Sequence, residues 1–121
     1  LDKRAKLASE DDWSTEYLAA IVSLKSVASV DEAISHVKKY GTGHTESIIS
    51  KNKDAQLRFT NSIDSAIVMI NASTQFADGG EFGFGAEIGI STNKLHARGP
   101  IGAQHLVSFQ YHVNGNGTLR P

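Results

Sequence analysis

Ser29-Val30-Asp31-Glu32-Ala33-Ile34-Ser35-His36-Val37-Lys38-Lys39-Tyr40-Gly41 is the stretch on which the fold turns. Its opening is a capping box: the Ser29 hydroxyl accepts from the Glu32 N–H, and the Glu32 carboxylate reaches back to the Ser29 N–H. Asp31 and Glu32 also sit at the positive end of a helix dipole. Val30, Ala33, Ile34 and Val37 recur at i, i+3, i+4 and i+7, which is one apolar stripe. Lys38 and Lys39 suit the last turn, and Gly41 suits a left-handed cap. The spacing predicts a helix over residues 30–40, with His36 on its solvent face.

The neighbouring segments give this helix its setting. Upstream, Glu10-Asp11-Asp12-Trp13-Ser14-Thr15 reads as a polar loop that docks through Trp13. The mostly apolar run from Tyr17 to Val27, with Ile21 and Val22 adjacent, reads as a strand buried on both faces. Downstream, residues 44–50 read as a short strand. Asn52 can cap a second helix through Ser62, with Ala55, Phe59 and Ile63 on one face. Ser65-Ala66-Ile67-Val68-Met69-Ile70 is a second continuous apolar run and reads as a central strand. The order strand, helix, strand, helix, strand implies parallel pairing through right-handed crossovers. The expectation is an α/β fold whose core is a three-stranded parallel unit within residues 16–71.

After Asn71 the texture changes. Residues 72–100 hold six glycines and Pro100, and so long a loop inside a domain usually serves a function. Residues 106–113 alternate apolar and polar on a period of two and end at Asn114-Gly115-Asn116-Gly117, which reads as a strand. No partner for it lies nearby in sequence, so it reads as an edge or arm strand that pairs elsewhere.

The 121 residues carry 12 Lys and Arg against 13 Asp and Glu, for a net charge of −1. That balance excludes the basic footprint of a nucleic-acid binder. Hydrophobic residues at 40% and charged residues at 21% fit a globular chain and argue against disorder along its whole length. No apolar run reaches the roughly 20 residues of a membrane helix, and the polar opening does not read as a signal peptide. The absence of Cys removes disulfides, thiolate metal ligands and a cysteine nucleophile from this chain.

Candidate chemistry is sparse. Gly83-Phe84-Gly85 opens a dinucleotide fingerprint that Ile88 breaks, which leaves tight turns. The histidines at 36, 44, 96, 105 and 112 have no metal-ligand spacing. There is no serine-hydrolase elbow. Asn71-Ala72-Ser73-Thr74 follows the last parallel strand at its carboxyl end, where open α/β sheets place ligands. Either these residues hydrogen-bond a carboxylate or phosphate, or they are a polar strand cap. Arg98 either grips an anion with its fork or ties loop carbonyls together.

Several stretches together carry a resemblance. They are Glu16-Tyr17-Leu18, Asp31-Glu32-Ala33-Ile34 with His36, Tyr40-Gly41 with His44-Thr45, Asp64-Ser65-Ala66, and Asn71-Ala72-Ser73-Thr74. Asp78-Gly79, the run from Phe82 to Thr92, and His96-Ala97-Arg98-Gly99-Pro100-Ile101-Gly102 complete the set. From about Trp13 onward, the chain resembles the C-terminal part of the γ-glutamyl phosphate reductases, a branch of the aldehyde dehydrogenase superfamily. The resemblance implies NADPH-dependent reduction of L-glutamyl 5-phosphate to glutamate 5-semialdehyde and phosphate, in proline biosynthesis and in the cytoplasm. It implies a Cys nucleophile that would displace phosphate before hydride arrives. That Cys is not in this chain, so no catalytic residue is assigned here. With Leu1 in first place rather than Met, the expectation is a C-terminal piece, inactive alone.

By resemblance, Glu16 accepts hydrogen bonds from the nicotinamide ribose of NADP. Asn71, Ser73, Thr74 and Arg98 bind substrate. Gln75 stands where the family commonly has Arg, which removes a positive charge. Residues 1–100 would be catalytic, with core 16–71 and active-site loop 72–100; residues 101–121 would be an arm whose strand 106–113 pairs across subunits of a homo-oligomer. Two rivals stand beside this reading. One is a non-catalytic binding or assembly module that retains the fold. The other is the reductase part of a bifunctional pyrroline-5-carboxylate synthase, a chain that usually continues well past the arm.

Overall fold

Ser29 starts helix α1 (Val30–Tyr40) as its capping chemistry predicts: its hydroxyl accepts from the Glu32 N–H at 3.2 Å. The return arm differs by one residue, because Glu32 Oε2 accepts from the Ala28 N–H at 2.8 Å. The computed structural model describes residues 2–121; Leu1 lies outside them. Gly41 is extended (φ −67°, ψ 146°) and not left-handed. A side chain is excluded there for another reason: a Cβ would stand 2.6 Å from the Val37 carbonyl oxygen and 2.9 Å from Glu46 Oε1. The left-handed turn falls two residues later, at Gly43 (φ 76°).

Strand β1 (Thr45–Ile48) leads into helix α2 (Lys53–Ser62), and α2 returns the chain to strand β2 (Ile67–Ile70). Asn52 caps α2 by accepting from the N–H groups of Asp54 and Ala55. The strands pair in parallel, Thr45 opposite Ile67 through Ile48 opposite Ile70. The core lies between the helices and this sheet. Ile34 of α1 meets Phe59 and Ile63, with Val30, Val37, Ile48 and Val68 packed around them. Each fully buried side chain of this size contributes about 1.5–3 kcal/mol.

The parallel sheet has two strands, not the expected three. The run 17–27 is not a strand: Ile21 is 59%, Val22 74% and Leu24 79% exposed. A strand needs a hydrogen-bonded neighbour, and this run finds none among the described residues. Residues 72–100 are not a single irregular loop. They hold the 3-10 turn Thr74–Phe76 and strand β3 (Gly89–Ser91), which pairs antiparallel with β4 (Gly99–Ile101). The expected boundary at 100/101 therefore falls inside β4. The expected strand over 106–113 is not formed: these residues pair with no strand among the described residues, and Leu106 (φ −100°, ψ 2°) is a bend. A period of two marks which residues share a face, but supplies no partner.

Glu46 on β1 carries a testable burden. Burial pushes its carboxyl above the ordinary value, against a hydrogen bond from Ser65 and the nearby His44 that favour the charged form. A raised folded-state pKa means a contribution to stability that is complete at acid pH and lost as pH rises through that pKa. Glu46→Gln is therefore expected to resist unfolding better than wild type at pH 7, with the gap closing below about pH 4. Thermal unfolding at the two pH values checks this.

Candidate functional site

The carboxyl end of β2 is built mainly by one side chain. Asn71 adopts the left-handed conformation (φ 55°), which Asn tolerates better than most residues. Its N–H donates to the Ile48 carbonyl at 2.8 Å. Its side-chain amide then pairs with Ser50 in both directions: Oδ1 accepts from the Ser50 N–H at 2.8 Å, and Nδ2 donates to the Ser50 carbonyl at 3.0 Å. The amide thus continues the β1–β2 ladder one step past the strands. Ser47 Oγ donates to the Ala72 carbonyl at 2.7 Å. Ser73 Oγ accepts from the Gln75 N–H at 3.2 Å and starts the 3-10 turn. Thr74 and Gln75 are exposed, and their side chains make no hydrogen bond among the described residues.

Arg98 stands elsewhere. Its Nη1 donates to Asp64 Oδ1 at 3.0 Å and its Nη2 to the Asp64 carbonyl; Lys94 also pairs with Asp64. Lys94 first and Arg98 second hold the Asp64 carboxyl below its usual range. Arg98 Nε is buried without a hydrogen-bond partner among the described residues. Asp64 precedes β2 and Asn71 follows it. The four-residue strand Ile67–Ile70 lies between them. Arg98 is therefore not gathered with Asn71, Ser73 and Thr74; it ties the loop before β4 to the opposite end of β2. Its fork is engaged by one carboxylate oxygen and one carbonyl, both of Asp64. The sequence showed a free-looking arginine because its partner lies 34 positions away.

Between these ends, Gly83 (φ 79°) and Gly85 (φ 75°) form left-handed turns, and no helix opens behind them. Asp78 Oδ1 accepts from the Gly80 and Glu81 N–H groups, and Glu87 Oε2 from the Gly79 N–H. The histidines serve locally. His96 Nε2 donates to the His105 carbonyl, and His105 Nδ1 accepts from the Gly102 N–H. Among the described residues no group of three or more His, Asp or Glu could hold a metal ion.

Glu16 lies in the segment after the 3-10 turn Asp11–Trp13. It is exposed, and its carboxylate has no hydrogen-bond partner among the described residues. Its chain neighbours are pinned: Thr15 Oγ1 donates to the Asp11 carbonyl at 2.8 Å, and the Tyr17 hydroxyl donates to Asp12 Oδ1. Trp13 does dock, through an edge-on contact with His36 at 5.2 Å. His36 is consequently half-buried between Trp13 and Tyr40, not on a bare helix face. The Tyr17–Asp12 tie was invisible in sequence, because no periodic pattern links a loop tyrosine to a carboxylate five residues earlier.

The sequence profile described as the aldehyde dehydrogenase family matches residues 8–90. The chain belongs to the aldehyde dehydrogenase family. It is 66% identical over 117 residues to the gamma-glutamyl phosphate reductase of Bartonella henselae, covering 97% of the chain and 28% of that relative. It is 58% identical over 120 residues to the protein of the same name from Bradyrhizobium diazoefficiens, covering 99% and 28%. The crystal structure of gamma-glutamyl phosphate reductase from Thermotoga maritima superposes with a TM-score of 0.85 at 54% identity, covering 94% of the chain and 28% of that structure. The chain thus spans under a third of the length of these relatives. The expected α/β fold of the family is present, with the corrections to strand number and loop content given above.

Proposed function

We propose that this chain is the C-terminal part of an NADPH-dependent reductase, acting in the cytoplasm, that converts L-glutamyl 5-phosphate to glutamate 5-semialdehyde and phosphate in proline biosynthesis. The observation that carries the reading is identity of 54–66% across nearly the whole chain with proteins named gamma-glutamyl phosphate reductase. The residues present suit a nicotinamide nucleotide. Glu16 offers two acceptor oxygens with no competing partner among the described residues, the acceptor set that a pair of donating ribose hydroxyls requires. When bound, the nucleotide supplies the hydride.

The chain's own residues divide the remaining work. Asn71 and Ser73 fix the turn at the carboxyl end of β2, so that Thr74 presents its hydroxyl to the glutamyl end of the substrate. Gln75 beside it adds amide donors without charge. Arg98 anchors the β4 loop to Asp64. The nucleophile comes from a Cys outside this chain. The full-length protein is expected to oxidise NADPH and to turn over glutamyl phosphate, and the purified 121 residues to do neither. Turnover by the isolated chain, with its mass verified, overturns the reading; so does an inert full-length protein.

The tail supports an oligomer. Val107, Phe109, Tyr111 and Val113 are 70–91% exposed, and Phe109 meets Tyr111 edge-on at 5.2 Å, as residues two apart on one face do. An exposed apolar segment of this kind finds cover against another chain or aggregates. We assign it to a neighbouring subunit. Phe109→Asp is expected to shift the full-length protein toward monomer in light scattering at micromolar concentration. An unchanged mass with the fold intact would place the strand within its own subunit.

A further inference from the structure

We propose that Tyr17 is a positioning residue: its hydroxyl clamps the segment that carries Glu16, through Asp12, onto the last turns of α1. The proposal rests on the ribose-binding reading of Glu16. No regular secondary structure lies between Trp13 and Val30, so no helix or strand orients the Glu16 carboxylate. Hydrogen bonds do so instead. Thr15 and Tyr17, on either side of Glu16, are both tied to the Asp11–Trp13 turn. The Tyr17 hydroxyl also meets Ser23 Oγ at 3.0 Å, and Ser23 Oγ donates to the Asp12 carbonyl at 3.4 Å, so the outgoing arm joins the same knot. Asp12 Oδ2 accepts from the N–H and hydroxyl of Ser9 at 2.6 and 2.8 Å. Hydrogen bonds to a carboxylate are the strong kind, and Tyr17 and Ser9 together hold Asp12 below the usual carboxylate range.

The knot is in turn fixed to α1 at both ends. On the incoming side, Glu10 Oε1 accepts from Lys39 at 2.9 Å and from the Tyr40 hydroxyl, and Trp13 abuts His36. On the outgoing side, Lys25 reaches His36 Nδ1 at 3.3 Å and lies 5.8 Å from the centre of the Trp13 ring. Leu18, directly after Tyr17, is held at φ 50°, a conformation that a residue with a side chain keeps only when its surroundings impose it. These interactions fix the backbone on both sides of Glu16, whose carboxylate is exposed and, like that of Asp11, makes no hydrogen bond among the described residues. A nucleotide contact explains that arrangement, because a small displacement of a positioning group costs turnover steeply.

The test is Tyr17→Phe in the full-length protein, which removes one hydroxyl and keeps the ring. It is expected to lower kcat about tenfold, leave the melting temperature unchanged, and accelerate amide hydrogen exchange across residues 14–23. The loss in kcat is expected to vanish when the substitution is made on a Glu16→Gln background, since Tyr17 would then have nothing to position. An active wild type indifferent to Tyr17→Phe overturns the proposal. So does an equal loss on both backgrounds, or unchanged exchange in the segment. A wild-type protein without reductase activity overturns the underlying reading and this assignment together, a result distinct from those three.

Discussion

Phe59→Ala is expected to cost the fold about 3–5 kcal/mol, the range for deleting a buried aromatic side chain. Phe59 is 5% exposed and stands between Ile34 of α1 and Ile63, with Ile48 and Val68 of the sheet beside it. Its ring is the largest body in that cluster, and removing it takes away transfer free energy and leaves a void. The void cannot close cheaply. α1 and α2 each lead into a strand of the same parallel sheet, which limits how far they can close on the void. Leu57→Ala, on the same helix but 61% exposed, is the paired control and is expected to cost under 1 kcal/mol. Denaturant midpoints of the two variants in the full-length protein decide the matter. Equal midpoints would mean that this cluster is not the core.

The same cluster shows what the sequence made legible. The stripe Val30, Ala33, Ile34, Val37 and the face Ala55, Phe59, Ile63 are local patterns, and local patterns survive because helix periodicity is imposed by the backbone itself. Both N-caps were readable for the same reason: Ser29 and Asn52 bond to N–H groups within three residues. The errors came where an element depends on distant partners. The run 17–27 has the composition of a buried strand, yet composition cannot supply a ladder, and Leu18, Ile21, Val22 and Leu24 stay exposed. β3 and β4 were missed because each is three residues long, and one contains Pro100, which reads as a loop signal. The site divides likewise. The place of Asn71 and Ser73 just after β2 was legible, because it follows from the apolar run 65–70. That Arg98 belongs to Asp64, at the other end of β2, required the tertiary fold.

Glu16→Gln is expected to lower turnover of the full-length protein by about 10²-fold, with its melting temperature unchanged. The two halves have separate causes. Stability is indifferent because the Glu16 carboxylate is exposed and makes no hydrogen bond among the described residues; the pins that hold its segment belong to Thr15 and Tyr17. Turnover is sensitive because the substitution alters the donor and acceptor inventory without altering shape. A carboxylate accepts through both oxygens. The amide accepts through one and presents an NH2 where the second ribose hydroxyl must donate, so one of two contacts becomes a mismatch. The loss falls on kcat more than on KM if the contact serves to place the nicotinamide for hydride transfer, because misplacement of the reacting carbon by about 1 Å leaves binding largely intact while slowing the chemistry. Steady-state kinetics with NADPH, alongside a direct titration of NADPH binding, separates the two parameters. If affinity and turnover both match wild type, Glu16 is a loop carboxylate, and the knot of Asp12, Tyr17 and Ser23 serves only to fasten residues 14–23 to α1.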